Sequence, residues 1–180
     1  TFKDNTASTS GGHWYIFNGT VTVTNTLFEG GSSVGSGGVF FVASGVNKLD
    51  IFQSEFYNNT AEASAGVIYT TSNVNISKSR FYHNTATNHG GVFYIYTSAT
   101  SDSHVKVSNS LFYNNTANGT GAANQGGAIA YMSRDAAGQK STLTATNNTF
   151  YANKSPNSPH GAISFNGFAD VSINLYNNIF

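Results

Sequence analysis

Apolar residues in this chain fall in short alternating runs, not in helical stripes. Val21-Thr22-Val23, Leu49-Asp50-Ile51, Val74-Asn75-Ile76, Val105-Lys106-Val107, Leu143-Thr144-Ala145 and Ile173-Asn174-Leu175 all set apolar side chains two apart. That period predicts strands buried on one face. Each run keeps a constant distance from a phenylalanine: its apolar residues lie seven and five positions before Phe28, Phe56, Phe81, Phe112, Phe150 or Phe180. Two polar positions intervene, Asn25, Gln53, Lys78, Asn109, Asn147 or Asn177, then Thr26, Ser54, Ser79, Ser110, Asn148 or Asn178. Small polar residues between two strand signals predict a corner.

The phenylalanines open a motif of their own. Phe2-Lys-Asp-Asn5-Thr-Ala is echoed by Phe56-Tyr-Asn-Asn59-Thr-Ala, Phe81-Tyr-His-Asn84-Thr-Ala and Phe112-Tyr-Asn-Asn115-Thr-Ala, and more weakly by Phe150-Tyr-Ala-Asn153. The Phe28 copy carries Gly31 where asparagine is expected. A second motif alternates with the first: Gly11-Gly12-His-Trp, Gly37-Gly38-Val-Phe, Ala65-Gly66-Val-Ile, Gly90-Gly91-Val-Phe, Gly126-Gly127-Ala-Ile and His160-Gly161-Ala-Ile. The step from phenylalanine to the second glycine is ten residues in the first four units, while the return to the next phenylalanine varies from 15 to 23. A fixed segment beside a variable one is the mark of a structural turn beside a loop.

Units of 25 to 38 residues, read as three short strands and three corners, predict an all-β fold: a right-handed, single-stranded parallel β-helix of about six rungs spaced about 4.8 Å apart. Phe2, Phe28, Phe56, Phe81, Phe112, Phe150 and Phe180 are expected to stack inside it, with Trp14, Phe40, Ile68, Phe93, Ile129 and Ile163 as a second internal column. The asparagine column (Asn5, Asn59, Asn84, Asn115, Asn153) is assigned to a left-handed corner with its amides laddered on one another. The repeated second glycine is assigned to positive φ or to close backbone approach. Outside the coil, Tyr57, Tyr82, Tyr113 and Tyr151 are expected to form an exposed aromatic ladder, and Tyr15, Phe41, Tyr69 and Tyr94 a second outward row.

Composition narrows the function. Charged residues make up 9% of the 180 residues and the formal net charge is zero, against roughly 25% charged in ordinary soluble domains. A nucleic-acid partner, which requires a basic stripe, is therefore not expected. Asn, Ser and Thr together supply 65 residues, so solubility rests on neutral hydrogen-bonding groups. Cysteine is absent, which removes disulfides and thiolate chemistry. No apolar run approaches the roughly 18 residues of a membrane-spanning helix.

The alternation of Phe-x-x-Asn with Gly-Gly-Ala-Ile, best matched by Phe112-Tyr-Asn-Asn115 with Gly126-Gly127-Ala-Ile129, resembles the polymorphic outer-membrane protein repeat of chlamydial autotransporters. The resemblance covers essentially the whole chain, Phe28-Glu-Gly-Gly31 being the copy that departs from it. It implies an extracellular, adhesive or structural β-solenoid, without implying a catalytic activity.

The chemistry-bearing residues agree with that expectation. A glycosidase sets two carboxylates about 5–9.5 Å apart, whereas Asp4, Glu29, Asp50, Glu55, Glu62, Asp102, Asp135 and Asp170 scatter over different columns. Asp50 and Glu55, five apart, are assigned to opposite faces of one strand. His13, His83, His89, His104 and His160 likewise share no column that forms a metal site. No catalytic residue, cofactor or metal ligand is assigned. Seven Asn-x-Ser/Thr acceptors occur at Asn18, Asn58, Asn75, Asn114, Asn118, Asn147 and Asn153; Asn58 and Asn114 share a turn column expected to face solvent. Both termini fall on the phenylalanine column, so residues 1–180 are expected to be one segment of a longer array. The expected function is a structural or adhesive solenoid of a cell surface or filament, glycosylated. Its expected partners are neighbouring repeats stacked end to end, together with glycans or host-surface molecules. The alternative is a carbohydrate-binding or pectate-lyase-like, polysaccharide-degrading β-helix using the exposed tyrosines.

Overall fold

The computed structural model describes residues 1–97, 102–120, 125–133, 141–159, 161–166 and 171–180. Asp135, His160 and Asp170, weighed above, lie outside the described residues. The described residues are strand and turn throughout, wound into a parallel β-solenoid of about five turns.

The first five turns carry four strands each, not three. Sheet 1 holds the phenylalanine strands, from Phe2–Lys3 through Arg80–Tyr82 to Thr149–Tyr151. Sheet 2 is built from two-residue strands, among them Thr60–Ala61, Thr85–Ala86 and Thr116–Ala117. Sheet 3 follows the glycines (Phe40–Val42, Ile68–Thr70, Ile129–Ser133), and sheet 4 holds the alternating runs (Val46–Phe52, Val74–Ser77, Ser103–Ser108). Sheets 1, 3 and 4 are six strands deep and sheet 2 is five. The missing strand in the sequence reading is the Thr-Ala pair. Two residues are too few to show alternation, so the pair reads as part of the turn.

Register follows the columns throughout. Phe81 pairs with Phe56 and Phe112, Ile68 with Phe40 and Phe93, and Val74 with Leu49 and Val105. The seven phenylalanine rings form one unbroken stack, buried from Phe28 to Phe150 and exposed at Phe180, with successive centroids 4.7–5.1 Å apart and planes within 4–10° of parallel. Sheet 3 meets this stack edge-on, Phe40 against Phe28 at 4.9 Å and 76°, Phe93 against Phe81 at 5.0 Å and 76°. Stacked and T-shaped pairs are the two geometries the ring quadrupole favours. Trp14 and Ile163, at the first and last strands of sheet 3, are only partly buried.

The asparagine column is not the corner. The left-handed residue stands one position earlier, at Asp4, Gly30, Asn58, His83, Asn114 and Ala152, with φ between 52° and 64°. That bend turns the next side chain inward. Asn59, Asn84 and Asn115 are fully buried. Asn84 shows the pattern: its Nδ2 donates to the Phe56 carbonyl (3.0 Å) and to Asn115 Oδ1 (3.0 Å). Its Oδ1 accepts from the backbone N–H (3.0 Å) and Nδ2 (2.9 Å) of Asn59. Both donors and both lone pairs are used, which is what a buried amide requires.

The corner between sheets 4 and 1 follows the sequence reading. Asn25, Gln53, Lys78, Asn109, Asn147 and Asn177 all have φ of 48–56°. The next position again turns inward as a ladder. Ser54 N–H donates to Ser79 Oγ (3.1 Å), Ser79 N–H to Ser110 Oγ (3.1 Å), and Ser110 N–H to Asn148 Oδ1 (2.9 Å).

The two glycines of each pair have separate reasons. The first sits at positive φ (Gly11 73°, Gly37 74°, Gly90 61°), with Ala65 at 63° in the same column. The second is required by close approach: a Cβ on Gly38, Gly66 or Gly91 would lie 2.2–2.3 Å from the carbonyl oxygen of the equivalent glycine in the next turn.

Candidate functional site

With the columns placed, the outward-facing side chains are the ones left to do chemistry. Asp50 and Glu55 both face out, from sheets 4 and 1. This corrects the expectation of opposite faces, because the left-handed Gln53 between them resets the alternation. Asp50 pairs with Lys48 Nζ at 3.0 Å and accepts from Asn75 Nδ2 at 3.0 Å. Glu55 accepts from the Tyr82 hydroxyl. Burial, then the Glu55 carboxylate, holds the Tyr82 phenol protonated well above its ordinary range. Among the described residues no three of His, Cys, Asp and Glu gather as a metal site would require. No helix among them is long and apolar enough to cross a membrane.

The tyrosine ladder forms in register. Tyr57 stacks on Tyr82 at 4.8 Å and Tyr82 on Tyr113 at 5.0 Å, the latter planes within 3°; Tyr151 pairs with Tyr113 in register. His83 meets the edges of these rings at 5.6–5.9 Å. Such packing has a consequence for binding. Both faces of Tyr82 are covered by its neighbours, so this ring offers a partner its edge, not the flat face on which a sugar stacks. On sheet 3, Tyr15, Phe41 and Tyr69 form a similar stack with 4.7 Å spacings. Tyr94, expected in that outward row, is buried with Ala65 and Ala130, with Tyr69 and Tyr96 packed against it.

The seven acceptor asparagines separate by position. Asn58 and Asn147 are exposed at left-handed corners (φ 56° each), and Asn114 occupies the Asn58 column half-buried at φ 52°. Asn18 and Asn118 are exposed as well. Asn75 is half-buried and its amide nitrogen is engaged by Asp50. Asn153 belongs to the inner ladder: Nδ2 donates to the Phe112 carbonyl (2.9 Å) and Oδ1 accepts from Asn115 Nδ2 (2.8 Å). A residue of the Phe-x-x-Asn motif is thus a poor acceptor and the residue before it a good one. The one-position shift of the corner decides this.

One functional arrangement escapes sequence reasoning. In the turn before the one that lacks the ladder asparagine, His13 replaces the valine or alanine of every other unit. Its imidazole occupies the missing side chain's space, Nε2 lying 2.6 Å from where a Gly31 Cβ would stand. Its Nδ1 accepts from Asn5 Nδ2 at 2.7 Å. The signal was the coincidence of two departures, Gly31 and His13, from their columns. Compared with known proteins, the chain matches no family model, no curated protein and no solved structure.

Proposed function

We propose that this chain is a segment of an extracellular structural or adhesive solenoid, carrying N-linked glycans on its corners and extended end to end by neighbouring repeats. One observation carries the reading. The positions that repeat from turn to turn build the coil itself, while the left-handed corners carry Asn58 and Asn147, both exposed, and Asn114, half-buried, within intact acceptor sequences. Stacked rings and saturated amide ladders also resist water without disulfides, in keeping with a protein that works outside the cell. The resemblance to the outer-membrane repeat points the same way.

Glycopeptide mapping of the protein from its source, with labelling of intact cells by a membrane-impermeant reagent, tests the reading. Labelling from outside, with glycans on Asn58, Asn114 or Asn147 and none on Asn153, is expected. A chain reached only after lysis and bare at all seven acceptors overturns it. Turnover of pectin, alginate or a glycosaminoglycan that disappears in Glu55→Gln would replace it with an enzyme.

A further inference from the structure

The corner between sheets 4 and 1 is also a groove. Three surface depressions share their lining residues and run on from one another along the coil: one of about 250 Å³ from Asn25 to Glu55, one of about 180 Å³ from Gln53 to Arg80, and one of about 500 Å³ from Lys78 to Thr149. They span five turns, one wall being the left-handed column itself. Asn25, Gln53, Asn109 and Asn147 expose their amides there and hydrogen-bond through them to no described residue. Lys78 and Arg80 stand in the middle, both exposed.

The two cations outnumber the one carboxylate at that midpoint, Glu55. Register sets Arg80 opposite Glu55, where an ion pair would ordinarily form, but the Glu55 carboxylate is taken by the Tyr82 hydroxyl. Lys78 rests its ammonium over the Phe52 ring at 5.4 Å. Neither cation pairs with a carboxylate among the described residues, whose ion pairs are Lys3–Glu29 and Lys48–Asp50.

The geometry points to a binding site for a linear acidic polysaccharide lying along this groove. A primary amide donates and accepts at once, which suits a chain of hydroxyls. The column repeats about every 4.8 Å, close to the advance of one sugar unit, whereas an extended peptide advances about 3.3 Å per residue and drifts out of step. The two cations demand a carboxylate or a sulfate near the centre, and two are too few for a nucleic acid. This site adds a ligand class to the function proposed above and is independent of the tyrosine ladder.

A glycan on Asn147 would fill one end of the groove, so the test uses the 180-residue chain made without glycans. Titration calorimetry compares polygalacturonate oligosaccharides, heparin oligosaccharides, dextran and polyglutamate. Binding to one or both acidic saccharides, weakening with salt, is expected, and which one binds tells carboxylate from sulfate. The double variant Lys78→Gln/Arg80→Gln should weaken binding about tenfold or more. Lys48→Gln/Lys106→Gln, on sheet 4, should bind as the parent does, with circular dichroism confirming that both variants fold. Dextran or polyglutamate binding as tightly as the acidic saccharides, binding to none of them, or equal loss in the two variants overturns the inference. Such a failure leaves the proposed location and glycosylation, read by peptide mapping, untouched.

Discussion

A phenylalanine and the tyrosine beside it have opposite fates here, because alternation sends one into the coil and the other out. Phe81 and Phe112 are fully buried in the ring stack, so truncation to alanine removes the ring and leaves a cavity that backbone ladders on all sides prevent from closing. A loss of about 3–5 kcal/mol is expected in chemical denaturation, against less than about 1 kcal/mol for Tyr82→Ala, whose ring stacks at the surface. Equal losses would reverse the facing. His13 makes a second residue-scale prediction. Burial lowers its pKa below the ordinary 6.5, with the nearby Glu29 carbonyl and Asp4 acting in the opposite sense. The unfolded chain therefore takes the proton first as pH falls. The stability His13 contributes is complete above about 6.5 and declines as pH drops through 6.5 toward the depressed value. Thermal melts from pH 7.5 to 5 should show this decline, and the substitution His13→Val, which puts the residue usual in that column in place of the imidazole, should flatten it. An unchanged slope would mean that His13 is not the titrating group. His13 and Gly31 also mark how far sequence reaches at this scale. Gly31 is visible as a gap and His13 as an oddity, but only the coil shows that one fills the other.

The elements differ in how plainly the chain announces them. The sheet 4 runs show two or more alternations, and the Phe81-type strands sit at fixed offsets from them, so both are legible from spacing alone. The Thr85–Ala86 type of strand is not, and its omission displaced the left-handed corner by one residue and moved Asn84 from corner to core. The groove was hidden for a related reason. Its wall is the corner column of Asn25, Gln53, Lys78, Asn109 and Asn147, legible as a corner, but the neighbours Leu27, Glu55, Arg80, Leu111 and Thr149 follow no pattern that marks it as one side of a groove. The glycines give the sharpest test between elements. Gly66→Ala or Gly91→Ala sets a methyl group against a backbone oxygen of the next turn, and backbone cannot swing aside as a side chain does. Either should lower the melting temperature markedly or abolish folding, whereas Gly161→Ala, with nothing within 4 Å of its Cβ, should be silent. Asn84→Asp tests the amide ladder: it deletes two donors and brings a charge into a buried column, so it should cost more than Asn84→Ala. The alanine variant leaves unmet groups worth about 1–3 kcal/mol each.

Over the whole molecule, contacts are made between adjacent turns, so stability is close to a sum over turns and their interfaces. Amide exchange should be slowest near Phe56, Phe81 and Phe112, which have stacked neighbours on both sides, and faster toward Phe2 and Phe180, which have one. Uniform protection along the chain would show instead that the coil opens only as a unit. The ladder of buried amides carries this further. Asn59, Asn84 and Asn115 each give the backbone hydrogen and one amide hydrogen to the next asparagine, and the other amide hydrogen back to the phenylalanine carbonyl of the turn before, so every turn presents its successor with the same socket that it fills in its predecessor. A gene for such a coil can gain or lose whole turns in the Phe56–Phe112 region by unequal recombination, and each product remains fully hydrogen-bonded. The first two turns are different: they share His13, and a crossover that parts Gly31 from it leaves a hole on one side and a stranded imidazole on the other. Length is therefore free to vary in the middle of the chain and is locked near residue 13.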